Sequence, residues 1–208
     1  DDGTAAGVNP VTAIPKGITH HTVDHLFESC RRFQTQVGAR PALFKIDVNA
    51  ASRRIPIQPS RRPLCMVVFL HQGVPMVSEH NACCFGFTSS VDAWDRVGAL
   101  LRALAAHFLH LVFLHYVDDG FGCSFEGSIA QSAGHVARFI RCLMGQSAIA
   151  DTKIGWGRDL VVLGLTLQAY ARPDRAPPSR CPRTQVGAAG LTARPSPDKV
   201  AKWLADLR

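Results

Sequence analysis

The chain has 208 residues, of which 47% are apolar and 19% are charged, and it carries 23 Lys and Arg against 16 Asp and Glu. This composition predicts one packed domain, or one and a piece, and excludes a chain that is disordered throughout. The longest apolar stretch, residues 108–117, is interrupted by His110 and His115. It falls short of the ~18–20 apolar residues of a membrane helix, so no membrane partner is expected. The net charge of +7 favours an anionic partner such as nucleic acid or acidic lipid.

The cysteines and histidines carry no strong metal signature. The 7 cysteines include no Cys-x-x-Cys pair, and their odd number favours reduced thiols in an intracellular protein, nuclear or cytoplasmic, over a disulfide framework. His21 and His25 are one helical turn apart, but two ligands without a third predict a solvated helix face rather than zinc. His115 is interpreted as an ordinary strand residue. The chain begins at Asp1 without a targeting pattern, so we expect an excised region of a longer protein.

Residues 1–70 predict one helix and two strands. Apolar side chains recur at helical spacing over about residues 22–33, which predicts a packed helix. Residues 42–47 (ALFKID) predict a buried strand that ends in a carboxylate, and residues 64–70 (LCMVVFL) predict another strand. The proline-rich loop between these strands excludes a long helix. Four arginines make this loop either a solvated segment or a phosphate-contacting surface: Arg53, Arg54, Arg61 and Arg62.

Two long helices are predicted in the middle of the chain. The first begins at Ser89, which forms a capping-box pattern with Asp92. A stripe of apolar side chains follows at helical spacing and predicts a face packed on the core. The stripe consists of Trp94, Val97, Leu101, Leu104, Phe108 and Leu111. Residues 131–144 predict the second helix.

Strand patterns flank this second helix. Residues 111–117 and 121–125 predict a β-hairpin with two aspartates and a glycine at its turn. Residues 160–167 (LVVLGLTL) predict a single strand, and the preceding Gly155-Trp156-Gly157 predicts a turn. The order of these elements predicts an α+β fold, in which helices cover one face of an antiparallel sheet.

The composition changes after Ala171. Six prolines fall within residues 173–197, and residues 171–208 hold 8 Lys and Arg against 3 Asp and Glu. Such a segment cannot continue a regular helix or a central strand. We therefore expect residues 171–208 to be a Pro- and Arg-rich linker or exposed arm.

Three carboxylates are the most informative chemical feature. Asp47 ends the first predicted strand, and Asp118 and Asp119 lie at the hairpin turn. If both elements belong to one sheet, these groups converge at one edge, where close carboxylates repel each other unless they hold divalent cations. Oxygen ligands suit Mg²⁺, and two such ions about 3.5–4 Å apart perform nucleotidyl transfer. The spacing leaves a second interpretation open, in which Asp-Asp-Gly is ordinary turn chemistry and Asp47 caps a strand.

The residues around these aspartates carry a family resemblance. Five segments carry it, in this order: FKIDVNAASRRIPIQP (44–59), HNACCFGFTSS (80–90), YVDD (116–119), Asp151 to Lys153, and Leu163-Gly164-Leu165. They resemble the catalytic motifs of reverse transcriptases, in the order of that family, over roughly residues 41–168. The chain looks closest to cellular retroelement enzymes, such as those of tyrosine-recombinase retrotransposons.

The resemblance implies a right-hand polymerase palm with RNA-directed DNA polymerase activity. Asp47 and Asp118 would be the main ligands of two Mg²⁺ ions, with Mn²⁺ as a substitute. Asp119 would be the third carboxylate, and Val48 would lend its backbone to the metal and the nucleotide phosphates. Lys153 would be the proton donor to pyrophosphate.

The same resemblance implies contacts with an RNA or DNA template-primer and with deoxynucleoside triphosphates. The nucleotide would contact Val48, Ser52, Phe85, Gly86 and Tyr116. Leu163 and Gly164 would begin the hairpin that holds the primer, and Arg53 would help to anchor the fingers. Arg54, Arg61 and Arg62 are assigned to nucleic-acid binding by charge alone.

The chain departs from the family pattern in three places. Ser52 stands where an aromatic that selects deoxynucleotides normally follows Ala51. Cys84 replaces a proline, and the basic fingers residues upstream are missing. We therefore predict a partial fingers segment at 1–40, a palm with a fingers insertion at 41–170, and a linker with the first thumb helix at 171–208. The remaining fingers and thumb are expected on a longer chain.

Three functions stay open at this stage. The first is a reverse transcriptase that copies a template by two-metal nucleotidyl transfer. The second is a decayed or domesticated palm that keeps the fold and binds nucleic acid without synthesis. The third is a polymerase that uses ribonucleotides, because Ser52 no longer excludes a ribose 2′-OH.

Overall fold

The structure, a computed structural model, describes residues 4, 7–14, 17–169 and 191–199. This part of the chain has an α+β fold with antiparallel sheets, as the order of predicted elements indicated. The helices are α1 (Val23–Val37), α2 (Thr88–Leu104) and α3 (Ile129–Met144). The strands are β1 (Pro41–Asp47), β2 (Met66–His71), β3 (Val74–Glu79), β4 (Val112–Tyr116), β5 (Asp119–Phe125), β6 (Ile154–Gly157), β7 (Asp159–Val162), β8 (Leu165–Ala169) and β9 (Leu191–Pro195).

The central sheet has four antiparallel strands in the order β4-β5-β1-β6. β1 lies inside this sheet, between β5 and β6, and its apolar residues are buried on both faces. β6 occupies the Gly-Trp-Gly segment, where Trp156 pairs with Phe44 of β1. The prediction of a turn in that segment was wrong, because pairing with a buried strand overrides the weak strand propensity of its two glycines.

Both faces of the central sheet are covered. On one face, Phe44 and Ile46 of β1 belong to a core formed with α2 and α3. On the other face, Leu43 belongs to a core with Leu26 of α1 and Leu167 of β8. The prediction of helices on one face only was wrong. The residues that point to each face of β1 are apolar, so both faces of the strand must be covered by other elements.

β2 and β3 form a separate two-stranded hairpin. The strand predicted at 64–70 is confirmed, but its apolar side chains face solvent, and Val68 is 71% exposed. β3 was not predicted. The connecting Gln72 and Gly73 have φ of 51° and 80°, the left-handed conformations that a two-residue hairpin turn requires.

β7, β8 and β9 form a three-stranded antiparallel sheet. The prediction of one strand over 160–167 was wrong, because Leu163 and Gly164 have φ of 50° and 71° and make a turn between β7 and β8. Residues 191–195 pair with β8 as β9, so this part of the expected arm is ordered along a strand edge.

The first residues of the predicted thumb helix lie next to this sheet. Residues 197–199 are helical, and the Lys199 N–H donates to Ser196 Oγ at 3.4 Å. The rest of that helix, and most of the predicted linker, lie outside the described residues.

α2 begins one residue before its predicted start, and its capping differs from the prediction. The N-cap is Phe87, and the Thr88 N–H donates to Asn9 Oδ1 at 2.9 Å. The Ser89 capping box was therefore wrong, because an amide from a distant segment replaces it, while Asp92 pairs with Arg96 at 2.9 Å. Asn9 is 79 residues from Thr88 in the chain, so no local sequence pattern predicts this contact.

The cysteines in the described residues are free thiols, six of the 7 in the chain, and Cys181 lies outside that part. Cys30 and Cys123 are buried together, and a hydrogen bond between them, with burial, raises the pKa of the Cys30 thiol. Within the described residues, no helix combines the length and the apolar character needed to cross a membrane.

Candidate active site

The strand register brings two of the predicted carboxylates face to face. Asp47, the last residue of β1, is directly opposite Asp119, the first residue of β5. Tyr116, the last residue of β4, is opposite Asp119 on the other side. Directly opposed residues in antiparallel strands have Cβ atoms about 4.5–5.5 Å apart on one face of the sheet. Asp47, Asp119 and Tyr116 therefore form one row at the end of the central sheet.

Asp118 lies on the turn between β4 and β5. Its neighbour Val117 has a φ of 48°, a conformation that β-branched residues rarely adopt. Two hydrogen bonds hold this turn: Trp94 Nε1 donates to the Val117 carbonyl at 2.6 Å, and the Val48 N–H donates to the Asp118 carbonyl at 3.0 Å. Contacts of this kind are what maintain a strained backbone at a functional site. The Val48 N–H is thus committed, and the backbone group that Val48 can offer a ligand is its carbonyl.

The environment of the two neighbouring aspartates penalises their negative charge. Burial raises the pKa of Asp118; a hydrogen bond from the backbone opposes this rise, and the charge of Asp47 adds to it. Burial also raises the pKa of Asp119, to which Asp47 and Asp118 add, while Lys45 and Lys153 oppose it. Carboxylates in this situation are stabilised by a bound cation.

Lys153 is in direct contact with this row. Its Nζ donates to Asp47 Oδ2 at 2.6 Å, and this hydrogen bond together with the charge of Asp47 raises the pKa of Lys153. The short helical turn Asp151–Lys153 leads into β6 and so sets the lysine beside β1. Lys153 therefore stays protonated at neutral pH.

The donor set of the three aspartates fits a hard divalent cation. Asp47, Asp118 and Asp119 offer only oxygen ligands, the type that Mg²⁺ prefers. One oxygen from each does not come within 4.8 Å of the other two, so the carboxylates are spread wider than a single tight site. Asp47 Oδ2 is paired with Lys153 Nζ at 2.6 Å instead.

A cavity of about 690 Å³ opens beside the row. Asp119 and Tyr116 form one wall, and Leu163, on the turn between β7 and β8, forms another. Lys199 Nζ donates to the Leu163 carbonyl at 3.2 Å, and the lysine side chain packs over Gly164 where a Cβ would collide with it. The remaining lining residues come mainly from α1, β8 and β9: Thr22, Val23, Asp24, Phe27, Leu165 and Ala193.

A smaller cavity of about 60 Å³ brings together most of the predicted nucleotide contacts. Ser52, Phe85 and Gly86 line it together with Asp118. Ser52 is 8% exposed, and among the described groups its Oγ has no hydrogen-bond partner. Asn9 Nδ2 donates to the Gly86 carbonyl at 2.7 Å, a contact that the sequence did not predict. Val48 and Tyr116 lie outside this cavity.

Arg54 is part of the fold rather than of an open surface. Its guanidinium donates to the carbonyls of Asn49 at 2.8 Å, Met144 at 3.2 Å and Ser147 at 2.5 Å. Met144 is the last residue of α3, so Arg54 satisfies a carbonyl that the helix end leaves without an internal partner. The assignment of Arg54 to nucleic-acid binding by charge alone stays a prediction, and these contacts give the side chain a structural role as well.

The other three arginines differ in their surroundings. The Arg53 guanidinium lies 5.5 Å from the centroid of the Phe85 ring and donates to His80 Nδ1 at 2.9 Å. Arg62 Nε donates weakly to the Ile57 carbonyl at 3.4 Å, and Arg61 is exposed. Of the four arginines, Arg53 is therefore the one that packs on a residue of the predicted nucleotide site, Phe85.

The sequence missed a second polar cluster, formed by His20, Asp95 and His115. Asp95 Oδ1 lies 3.3 Å from His20 Nδ1 and 3.1 Å from His115 Nε2. Burial lowers the pKa of His115, and Asp95 opposes this effect. No local sequence pattern connects its three members, because they come from three distant segments, and the spacing of His21 and His25 predicted only a solvated helix face.

Comparison with known proteins adds no family to these observations: the chain matches none of the protein-family models and none of the curated proteins with which it was compared. The geometry of the two clusters and the order of the sequence motifs are therefore what support a function.

Proposed function

We propose that the chain carries the palm of an RNA-directed DNA polymerase of a retroelement, which extends a primer 3′-OH on a nucleic-acid template. One observation carries the proposal: Asp47 is opposite Asp119 in the sheet, next to the turn that bears Asp118. These residues belong to two separate sequence motifs. Aspartates that served only as a strand cap and a turn residue would not need to meet in register.

The three aspartates would hold two Mg²⁺ or Mn²⁺ ions, with the Val48 carbonyl beside them. Such ions, when bound, activate the attacking hydroxyl and stabilise the charge of the leaving pyrophosphate. The chain itself supplies the position of the oxygen donors. The Trp94 hydrogen bond fixes the turn of Asp118, and the register of β1 and β5 fixes Asp47 against Asp119. The raised pKa values of Asp118 and Asp119 support a place for cations.

Lys153 is the group that would protonate the leaving pyrophosphate. Its ammonium group is 2.6 Å from Asp47, which keeps it protonated. The lysine side chain is 57% exposed, so it can exchange Asp47 for a phosphate oxygen without rearrangement of the core. A positioned acid of this kind contributes about 10²–10⁴-fold to a rate.

Two features beside the aspartates support the proposal: a cavity large enough for a primer end, and a smaller recess whose rim carries a stacking surface for a base. In the smaller one, the exposed ring of Phe85 offers a stacking surface next to Asp118, and Ser52 leaves room beside it. The larger one lies between Tyr116 and the turn at Leu163, where a primer end would sit close to Asp119. The partners of the proposed enzyme are an RNA or DNA template-primer and deoxynucleoside triphosphates.

Primer extension tests this proposal. The full chain, with Mg²⁺, is given an RNA template and a DNA primer, with deoxy- and ribonucleotides offered separately. We expect incorporation that Asp118→Asn abolishes and that Asp159→Asn, at an exposed aspartate of β7, leaves unchanged. If the chain alone is inactive, the same pair of variants in a chain extended with fingers and thumb segments repeats the test. Equal incorporation by both variants would contradict the proposal.

One observation favours a second candidate, a palm that binds nucleic acid without synthesis. Lys153 neutralises Asp47, and the three carboxylates are spread too widely to bring one oxygen of each within 4.8 Å of the other two. This candidate predicts salt-dependent binding of a template-primer that Asp118→Asn leaves unchanged, with no incorporation by the wild type. Loss of binding in Asp118→Asn would count against it.

A further inference from the structure

Three side chains from distant segments meet on the face of β4 opposite the carboxylate cavity. His20 precedes α1, Asp95 lies in α2 and His115 lies in β4. Asp95 Oδ1 is 3.3 Å from His20 Nδ1 and 3.1 Å from His115 Nε2. One ligand atom of each residue lies within 4.8 Å of a ligand atom of each of the other two. Within the described part of the chain, no other group of three histidine, cysteine, aspartate or glutamate residues meets this condition.

These separations match those between the ligands of a metal ion. Two ligands about 2.0–2.1 Å from a tetrahedral zinc ion are about 3.3 Å apart. The distances from Asp95 to the two imidazoles, 3.3 and 3.1 Å, are close to this value. An ion can therefore enter with small adjustments of the side chains.

The contact between His115 Nε2 and Asp95 Oδ1 at 3.1 Å is a hydrogen bond, but it accounts for only part of the arrangement. His20 Nδ1 is buried and, among the described groups, has no hydrogen-bond partner, although Asp95 Oδ1 is 3.3 Å away. A buried polar atom without a partner costs free energy, and an unplaced ion or water is a common explanation. The His115 side chain is only 6% exposed, so bulk water has little access to it.

The surrounding structure fixes the three residues in place. The His115 ring lies so close to Gly98 of α2 that a Cβ there would be 2.5 Å from the ring Cδ2. The His21 N–H donates to the His115 carbonyl at 3.1 Å, which holds the segment bearing His20 against β4. The His20 ring packs on Tyr116 with 5.0 Å between centroids. A site whose residues are already held in position loses little entropy when it binds.

We propose that His20, Asp95 and His115 bind one transition-metal ion, which is zinc by its donor set. Imidazole nitrogens with one carboxylate suit Zn²⁺, whereas Mg²⁺ prefers oxygen ligands throughout. A cavity of about 580 Å³ adjoins the three residues and leaves room for water as a fourth ligand. The ion links the segment before α1 to α2 and β4, directly behind Tyr116. This site is independent of the proposed polymerase activity, and its test measures binding.

Zinc titration of the full chain tests the site. The protein is treated with a chelator and titrated with Zn²⁺ against a chromophoric competitor, and Co²⁺ is used to read the coordination from its visible spectrum. We expect one Zn²⁺ per chain, and an affinity at least about tenfold lower in Asp95→Asn and in His20→Ala. Zn²⁺ should raise the melting temperature of the wild type but not of Asp95→Asn.

Two control variants separate this site from other ligands. His135→Ala removes an exposed histidine of α3, and Asp159→Asn removes the charge of an exposed aspartate of β7. Both should bind Zn²⁺ as the wild type does. If Asp95→Asn does not fold, His20→Ala carries the comparison, because His20 lies outside the helices and strands. Absence of binding by the folded wild type, or wild-type affinity in the folded variants of His20 and Asp95, would overturn the proposal.

Discussion

Two polar clusters occupy opposite faces of one strand, and they differ in donors, charge and exposure. Side chains alternate along β4, so His115 packs against α2 while Tyr116 lines the cavity of Asp119. The carboxylate cluster offers only oxygen donors of like charge, and its exposed Lys153–Asp47 pair is open to solvent. The histidine cluster combines two imidazoles with one carboxylate and is more deeply buried.

The donor atoms that a site offers do not depend on how far apart its residues lie in the sequence. Asp118 and Asp119 are neighbours in the chain, and a readable strand pattern leads to Asp47. His20, Asp95 and His115 are scattered over three segments that no local pattern connects. The donor types predict Mg²⁺ for the first cluster and Zn²⁺ for the second. Changes in one cluster should reach the other through β4, through α2, which bears both Trp94 and Asp95, and through the packing of His20 on Tyr116.

Exchange of one aspartate in each cluster gives the largest expected effects. Asp47→Asn should lower nucleotide incorporation by about a thousandfold, because it removes a proposed metal ligand at the end of the central sheet. Asp95→Asn should leave incorporation within about threefold of the wild type, since it lies on the other face. Rates of single-nucleotide incorporation check both values. Equal losses in the two variants would show that the clusters act as one unit.

Removal of the Trp94 hydrogen bond should affect the carboxylate cluster more than the histidine cluster. Trp94→Phe leaves the Val117 carbonyl without its donor and should lower the free energy of unfolding by ~1–3 kcal/mol. Nucleotide incorporation should fall as well, whereas the affinity for Zn²⁺ should stay that of the wild type. Urea unfolding checks the stability, with Trp156→Phe at a half-exposed position as the control. Equal stability of the two variants would show that this bond does not hold the turn.

Two glycine substitutions, one beside His115 and one in α3, test whether zinc binding depends on the position of the His115 ring. Gly98→Ala places a methyl group 2.5 Å from the His115 ring, so it should lower the free energy of unfolding by ~1–3 kcal/mol and weaken zinc binding. Gly134→Ala in α3 meets open space and should raise stability by ~0.5–1 kcal/mol. Urea unfolding and zinc titration measure both variants. Unchanged zinc affinity in a folded Gly98→Ala chain would show that the ring position is not critical.

The smallest expected effect concerns the sugar of the nucleotide. Ser52 lines the small cavity next to Asp118, in a position where the reverse transcriptases that the motifs resemble have an aromatic residue. Ser52→Phe should raise the ratio of deoxy- to ribonucleotide incorporation by roughly tenfold, because the ring occupies space near the sugar. Ser52→Ala keeps that space and serves as the control. A ratio that does not change in Ser52→Phe would remove Ser52 from sugar selection.

The elements that could be predicted from the sequence are those with a local pattern. The run ALFKID predicted β1, and the apolar segments around Asp118 and Asp119 predicted the hairpin of β4 and β5. The turn at Leu163 was missed because an apolar run of eight residues is indistinguishable from one strand. Capping of α2 by Asn9 was missed because the donor and acceptor are far apart in the chain.

The residues of the candidate site also divide into those that lie in a local sequence pattern and those whose contacts depend on the packing of the fold. The carboxylates and Lys153 could be predicted because each lies in a recognisable motif, and the structure brings them to one end of the sheet. Arg54 was assigned by charge, and charge does not reveal that its guanidinium binds three backbone carbonyls. Trp94 was expected in the core, but its hydrogen bond to the turn depends on the packing of α2 against β4.

The measurement that tests the central claim most directly is incorporation and template-primer binding on the same preparations of the wild type and Asp118→Asn. If Asp118 is a ligand of the catalytic ions, both proteins bind the template-primer with similar affinity, and only the wild type adds a nucleotide, in a reaction that requires Mg²⁺. A folded wild-type protein, with fingers and thumb present, that binds the template-primer but adds no nucleotide, or an Asp118→Asn variant that adds nucleotides as fast as the wild type, would contradict the account.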